Sequence, residues 1–207
     1  MTAVTLNLDA ITTLTPEQFW QLSLTNRDVR LELSAEGRLI VMPPTGWESG
    51  KRNLNLSGQL WNWNRQAQLG IAFDSSTGFR LPNGAVRSPD AAWVKQDRLD
   101  RLTPDPEKFL PLAPDFVVEL RSANDSAKEI RDKMKEYIDN GVRLVWFLNA
   151  KDKEVEIYRL GKGVEILDWQ SLSVGEAALK SLGDSPMRLS GEDVLPGFVL
   201  ELKGVLD

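Results

Sequence analysis

The first third of the chain combines short alternating segments with helical patterns of apolar residues. Residues 15–22 predict a short helix, because Thr15 is a favourable N-cap and Pro16 suits the first helical position. Residues 30–33 and 38–42 alternate in polarity around a Ser-Ala-Glu-Gly segment, which predicts a hairpin. Residues 47–67 then have the spacing of one long amphipathic helix. Its expected apolar positions include Leu54, Leu56, Leu60, Trp61 and Trp63.

After Gly70 the pattern becomes strand-like, with short segments at 71–73, 78–81 and 91–94. Residues 116–120 are almost continuously apolar, as in strands buried on both faces of a sheet. A helix is expected from Ser126 to about residue 140, followed by a buried strand at 142–148. This strand–helix–strand unit requires at least one parallel pair.

The remaining segments add β structure at both ends of this unit. Residues 155–159 and 164–167 predict a hairpin, and the tail from about residue 175 predicts short strands and loops. The whole pattern predicts an α/β fold with a mixed central sheet, flanked by helices, and extra β-hairpins at both ends. The length of 207 residues suits a single domain, residues 1–207, with its core at about 45–150.

The amino-acid composition excludes several kinds of catalytic and metal site, because the chain has no histidine and no cysteine. Catalytic triads that use either residue and zinc sites built from thiolate or imidazole are therefore excluded. Any metal must be bound by oxygen ligands, which suit Mg²⁺ or Mn²⁺. The formal charge of −5 argues against indiscriminate binding of polyanions, so a nucleic-acid site would have to be a local cleft.

The N-terminal residues show neither a basic segment nor an apolar segment of the kind found in signal peptides, and no apolar run approaches membrane-spanning length. We therefore expect a cytoplasmic protein that does not associate with membranes.

Asp90 and Glu119 are the acidic residues whose positions raise a question about function. Asp90 follows Pro89 and opens a strand, where an acid is most often a turn residue. Glu119 lies inside the strand expected to be buried on both faces, where an ionised carboxylate is costly unless it is paired. It could form a structural ion pair with Arg121 or bind a metal, and this residue alone leaves the two readings equal.

Lys133 and Glu48 add to the candidate set. Lys133 lies on the flank of the apolar stripe of the helix after Ser126 and is therefore aimed at the sheet; a lysine covering the edge of the core is the simpler alternative. Glu48 lies near the start of the long helix, where an acid is favourable in any case. Two carboxylates that converge at one end of a sheet bind a divalent cation. A nearby lysine orients a water or stabilises the charge that develops when a phosphodiester is displaced.

Taken together, the chain resembles the Uma2 family, domain of unknown function 820, whose members are described as putative endonucleases of the PD-(D/E)xK nuclease superfamily. The resemblance covers about residues 10–200. The matching stretches are Met42-Pro-Pro-Thr-Gly-Trp-Glu-Ser-Gly, Arg87-Ser-Pro-Asp-Ala-Ala-Trp-Val, Pro114-Asp-Phe-Val-Val-Glu-Leu-Arg-Ser, and Lys133-Met-Lys-Glu-Tyr-Ile-Asp-Asn-Gly-Val with Val145-Trp-Phe-Leu-Asn.

This resemblance implies a restriction-endonuclease-like core and a role for each candidate. Asp90 matches the acid of the Pro-Asp motif, Glu119 matches the second acid, and Glu48 matches an acid that often joins the metal site. Arg121 stands where the superfamily usually has its lysine, and Lys133 matches members whose lysine lies on the following helix. Arginine cannot act as a base, so Arg121 could only contact phosphate or neutralise Glu119.

Two functions follow as hypotheses. The first is a Mg²⁺-dependent endonuclease, with Mn²⁺ as an alternative ion, that cleaves nucleic acid, with DNA favoured, through water activated by the metal. The second is a nucleic-acid-binding or protein-interaction module on a nuclease fold without turnover. The seven tryptophans favour core packing or a dimer interface over base stacking, and a nuclease that cuts both strands would benefit from a two-fold homodimer.

Overall fold

The computed structural model describes residues 3–168 and 188–206. It contains four helices and thirteen strands in these residues. The helices are α1 (Pro16–Thr25), α2 (Trp47–Ala67), α3 (Gln96–Leu99) and α4 (Ala127–Asp139). The strands are β1 (Val4–Leu6), β2 (Arg30–Leu33), β3 (Leu39–Met42), β4 (Gly70–Asp74), β5 (Phe79–Arg80), β6 (Val86–Arg87), β7 (Ala91–Lys95), β8 (Phe116–Leu120), β9 (Leu144–Asn149), β10 (Glu154–Arg159), β11 (Glu165–Asp168), β12 (Arg188–Ser190) and β13 (Val199–Glu201).

A six-stranded mixed sheet, ordered β11-β10-β9-β8-β7-β4, forms the centre of the molecule. Strands β8 and β9 are parallel and are joined through α4, which confirms the predicted crossover. Both faces of this sheet are buried because residues alternate between two apolar clusters. Trp93, Phe116 and Trp146 pack with α2 and the C-terminal strands, whereas Val117 and Phe147 pack with α4.

Two smaller sheets flank the centre. Strands β1-β3-β2-β6-β5 form a five-stranded sheet that packs against α1, and β12 pairs with β13. Helix α1 begins with a capping box in which Thr15 and Gln18 bind each other's backbone N–H, as the Thr15-Pro16 signal predicts. The predicted hairpins β2–β3 and β10–β11 are confirmed.

One part of the fold differs from the sequence predictions. The predicted apolar positions of α2 do not all lie on one face: 74% of Leu54 and 51% of Trp61 is exposed, and only Leu56 and Leu60 are buried on this helix. Apolar residues occur on two faces of α2, and periodicity alone does not separate them. The predicted tail is confirmed at β12 and β13, while residues 169–187 lie outside the described part.

In the described residues, none of the helices combines the length and the apolar character needed to cross a membrane.

Candidate functional site

The candidate site lies where β7 begins and β8 ends. These strands are antiparallel, with Ala91 opposite Val118, so the register continues with Asp90 opposite Glu119. The two acids are 29 positions apart in the chain and become neighbours only through this strand pairing. The sequence predictions for Asp90 and Glu119 as a convergent pair therefore have a direct structural basis in the register of the sheet.

Asp90 is held by hydrogen bonds to both of its carboxylate oxygens. The side-chain amide of Asn53 on α2 donates to Oδ1 at 2.8 Å, and the backbone N–H of Leu120 donates to Oδ2 at 2.8 Å. Asp90 is therefore more than a turn residue, since it joins the start of β7 to both α2 and β8. Asn53 is a contact that the sequence analysis missed, and nothing in the spacing of this polar residue singles it out.

Glu119 is buried and is bound by two side chains of α4. The ammonium group of Lys133 lies 2.8 Å from Oε1, and the hydroxyl of Tyr137 donates to the same oxygen at 2.9 Å. Lys133 and Tyr137 are four residues apart, so one helix face presents both. The position that the sequence predicted for Lys133, on the flank of the core and aimed at the sheet, matches the position in the structure.

Lys133 has a second acidic partner, which the sequence analysis did not select. Glu32 on β2 accepts from Lys133 at 2.9 Å and from the backbone of Ser88 at 2.9 Å, and its other oxygen lies 3.3 Å from Arg87. Arg87 in turn donates to Glu136 of α4 at 2.6 Å. The flanking five-stranded sheet is thereby tied to the site through buried charges.

Neither Arg87 nor Glu32 was included in the predicted site, and the sequence gives a reason to select only the first. Arg87 stands three residues before Asp90 in a segment already selected, so it could have been included. Glu32 alternates with two leucines, a pattern that assigns it to solvent. It is instead 3% exposed, because β2 lies between β3 and β6 and its polar face meets α4.

Burial and charge together shift the pKa values of the site. Burial raises the pKa of Glu119 to about 7; Lys133 opposes this rise and Asp90 adds to it. Burial also raises the pKa of Asp90 above its usual range. For Lys133, burial alone would lower the pKa, but the negative charges of Glu119 and Glu32 outweigh it and raise the pKa above the usual value. Lys133 is therefore a cation throughout the neutral pH range.

Glu48 and Arg121 contact residues other than Asp90 and Glu119 in the described part of the chain. Glu48, on the first turn of α2, faces Lys51 at 3.7 Å and Arg52 at 3.5 Å, and its side chain is partly exposed. The expected neutralisation of Glu119 by Arg121 is wrong, because β8 ends before Arg121 and its guanidinium donates to Asn149 and Asp152 instead. Contact of Arg121 with phosphate stays a prediction.

Asp115 belongs to a second Pro-Asp pair, Pro114–Asp115, which is separate from the pair that contains Asp90. It is buried, accepts from the backbone of Lys95 at 2.9 Å, and forms an ion pair with Arg98 at 3.0 Å. This acid fastens the start of β8 to the end of β7 and lies outside the candidate site.

The donor set of the site fits a hard divalent cation bound by two carboxylates. The described hydrogen bonds to Glu119 all reach Oε1, and each oxygen of Asp90 accepts one bond while it carries two lone pairs, so lone pairs remain for a metal. In residues 3–168 and 188–206, no three acidic side chains are grouped closely enough to hold a metal ion, so Glu48 as a third ligand stays a prediction. Two carboxylates with water in the other positions are a common arrangement for Mg²⁺.

Comparisons with known proteins show the family and the fold of the chain. The model of the Uma2 family, described as "Putative restriction endonuclease", matches residues 16–203. The chain is also similar to a solved structure described as a putative nuclease belonging to DUF820 from Anabaena variabilis ATCC 29413. The identity is 15% and the TM-score 0.70, over 93% of this chain and 97% of the other. At this identity the likeness shows a shared fold. Among curated proteins there is no significant match.

Proposed function

The chain belongs to the Uma2 family of putative restriction endonucleases, and from this premise we propose that it is a Mg²⁺-dependent endonuclease that hydrolyses phosphodiester bonds in DNA. The observation that carries the proposal is the cluster of Asp90, Glu119 and Lys133, in which a buried acid, a partly buried acid and a cation meet at the ends of two central strands. We also propose that β4, β7, β8 and β9 with α2 and α4 form a restriction-endonuclease-like core.

Asp90 and Glu119 are the residues that would hold the metal, with Glu48 as a further candidate. The ion would act as a Lewis acid toward a phosphoryl oxygen and would lower the pKa of attacking water. Mn²⁺ has the same preference for oxygen ligands and is the expected substitute.

Lys133 contributes charge and position, and it does not act as a base. Its ammonium group keeps its proton because two carboxylates surround it, so it cannot accept one from water at neutral pH. A cation held in this way can stabilise the negative charge that develops on a phosphoryl group in the transition state. With histidine missing from the chain, the proton of the attacking water goes to a carboxylate or to solvent.

The net charge of the chain limits where the phosphates of DNA could bind. The chain carries −5 overall, so phosphate binding must come from local cations near the site. Lys51 and Arg52 on the first turns of α2 lie on the same helix as Asn53, which binds Asp90. This placement supports a confined DNA cleft at the start of α2. A homodimer would supply two such clefts for cutting both strands.

The proposal is tested by cleavage of supercoiled DNA, with single-stranded DNA and RNA as further substrates, in Mg²⁺ and in Mn²⁺. Asp90→Asn and Glu119→Gln keep the shape of each side chain and remove its charge. We expect each variant to lose at least about 100-fold in cleavage rate, since each removes a metal ligand. The matched control is Glu156→Gln, which alters an equally buried acid on β10, outside the site.

Equal cleavage by wild type and Asp90→Asn would refute the assignment of the site. DNA binding without any cleavage, in either ion, would instead favour the second function, a binding module on a nuclease fold. Circular dichroism of each variant separates loss of chemistry from loss of structure.

A further inference from the structure

The outward face of α2 carries large apolar side chains that are half or more exposed, although the guanidinium of Arg65 lies 4.7 Å from the centre of one of them, Trp61. Trp47 is 81% exposed, Leu54 74% and Trp61 51%. They are seven residues apart, so they form one stripe along the helix, about 10.5 Å between successive members. Isolated exposed apolar residues need no explanation, but a continuous stripe of this size marks an interaction surface.

The residue pattern of the stripe is symmetric about Leu54. Tryptophans lie seven residues before and after it, at Trp47 and Trp61, and glycines lie four residues before and after it, at Gly50 and Gly58. A Cβ added at Gly58 would meet nothing within 4 Å, and one at Gly50 would meet only the Thr45 methyl group at 3.9 Å. The two glycines are therefore not required by packing within the chain, and they leave two shallow depressions on the exposed face.

We propose that this face binds the same face of a second copy of the chain, in an antiparallel homodimer whose two-fold axis passes beside Leu54. A two-fold interface brings one surface patch against itself, so it requires a self-complementary pattern. Rotation about this axis places Leu54 on its counterpart. It also places Trp47 of each copy beside Gly58 and Trp61 of the other.

The surface at Trp61 has the shape that this arrangement needs. A groove of about 440 Å³ lies between α2 and β4, where Gly58 and Trp61 form one wall and Ala72 and Phe73 form the other. Trp47 projects at the opposite end of the stripe. In the dimer, each Trp47 enters the groove of the other copy, so both projections and both grooves are filled at once.

The area of the stripe is appropriate for such a dimer. A tryptophan buries roughly 150–250 Å² when it is covered. Two tryptophans and one leucine therefore supply on the order of half of the roughly 800 Å² per partner that a stable interface needs. The groove walls and the flanking polar residues of α2 supply the remainder as the rim.

The same helix reaches the candidate site on its other side, where Asn53 binds Asp90. A dimer through α2 would hold two candidate sites in a fixed mutual orientation. This consequence rests on the proposed nuclease function, whereas the dimer itself does not.

The first experiment measures mass by light scattering and sedimentation over a range of concentrations. We expect a mass of twice 23.2 kDa for the wild type and of 23.2 kDa for Leu54→Lys, because two like charges would meet on the axis. The control is Ile166→Lys, which changes an exposed apolar residue on β11 and leaves the dimer intact. Mixing Leu54→Lys with Leu54→Glu should restore a mixed dimer, which happens only if the two copies of position 54 face each other.

The second experiment uses the absence of native cysteine. Leu54→Cys should form a disulfide-linked dimer under mild oxidation, while Leu160→Cys, at an exposed leucine on another surface, should not. A wild-type protein that stays at 23.2 kDa at all concentrations, or a Leu54→Lys variant that stays dimeric, would overturn the proposal. A monomer whose Trp47→Ala variant loses affinity for single-stranded DNA would also overturn it and would assign the face to base stacking.

Discussion

Helix α4 presents a cation to a buried glutamate at two places, and the two clusters differ in their charge balance. In the site cluster, Lys133 and Tyr137 bind Glu119; in the Arg131 cluster, Arg131 binds Glu156 at 2.7 Å and Tyr158 donates to the same carboxylate. Each has a buried acid, a cation from α4 and a tyrosine hydroxyl. Sequence and burial alone would assign them the same role.

The number of buried acids bound by the α4 cation separates the two clusters. Lys133 binds two buried acids, Glu119 and Glu32, which share its single positive charge. Arg131 has Glu156 and the partly exposed Glu154, and its own side chain is 39% exposed against 15% for Lys133. A buried ion pair is therefore weak evidence for a site. Two buried acids that share one cation are stronger evidence.

The largest difference between the two clusters is expected in the free energy of unfolding when the α4 cation of each cluster is replaced. Lys133→Met leaves Glu119 and Glu32 buried without their shared partner, which we expect to lower the free energy of unfolding by about 3–5 kcal/mol. Arg131→Met should cost only about 1.5 kcal/mol, because a single buried acid loses its cation and keeps its hydrogen bond from Tyr158. Denaturant unfolding at pH 8 measures both.

The double variant Lys133→Met with Glu119→Gln is the control for this prediction. It should recover part of the loss, since one of the two uncompensated charges is gone. Equal losses in Lys133→Met and Arg131→Met would mean that the two clusters do not differ in the way proposed.

The sequence predicted most of the fold because the central elements have strong local signals. Helix α2 spans the predicted residues 47–67, and the β8–α4–β9 crossover follows from two apolar runs and the Ser126 cap. Strand β6, of only two residues, lacks any periodicity and was not predicted separately. The long-range pairing of β2 with β6 was missed for the same reason.

The site was predictable only where one segment combined an unusual residue with a clear context. Glu119 is an acid in an apolar strand, and Lys133 lies beside an apolar stripe, so both could be selected. Glu32 and Asn53 come from separate elements with ordinary polar patterns, and only tertiary packing brings them to the site. The second buried acid on Lys133, which distinguishes the site cluster, is Glu32, so this feature could not be predicted from the sequence.

Divalent ions should stabilise the protein through the site cluster alone, with an effect of intermediate size. At Mg²⁺ one hundred times above its dissociation constant, we expect a gain of about 2.7 kcal/mol in the free energy of unfolding. The gain should disappear in Glu119→Gln and persist in Glu156→Gln, which keeps the site intact. Unfolding titrations with MgCl₂ measure it.

The increase in the free energy of unfolding caused by Mg²⁺ should depend on pH, because the metal and a proton compete for Glu119. Burial places the pKa of Glu119 at about 7, so this carboxyl is mostly protonated at pH 6 and mostly ionised at pH 8. The Mg²⁺ gain should therefore be smaller at pH 6 than at pH 8. Without metal the sign is opposite: the folded-state pKa lies above the ordinary value of 4.5, so stability falls as the pH rises from about 4.5 to 7. A Mg²⁺ gain that is equal at both pH values would contradict the role of Glu119 as a ligand.

The smallest effect on the free energy of unfolding is expected when the tyrosine hydroxyl of each cluster is removed. These two substitutions are also the most closely matched pair of variants in the two clusters. Tyr137→Phe and Tyr158→Phe each remove one donor from a buried carboxylate, so each should lower the free energy of unfolding by about 1.5 kcal/mol. Only Tyr137→Phe should also weaken Mg²⁺ binding, by about tenfold, because its hydroxyl supports the ionised form of a proposed ligand. Isothermal titration with Mg²⁺ at pH 8 resolves this difference. If Tyr158→Phe weakened Mg²⁺ binding as much as Tyr137→Phe, the metal site would extend to the Arg131 cluster, and the contrast in charge balance would lose its functional meaning.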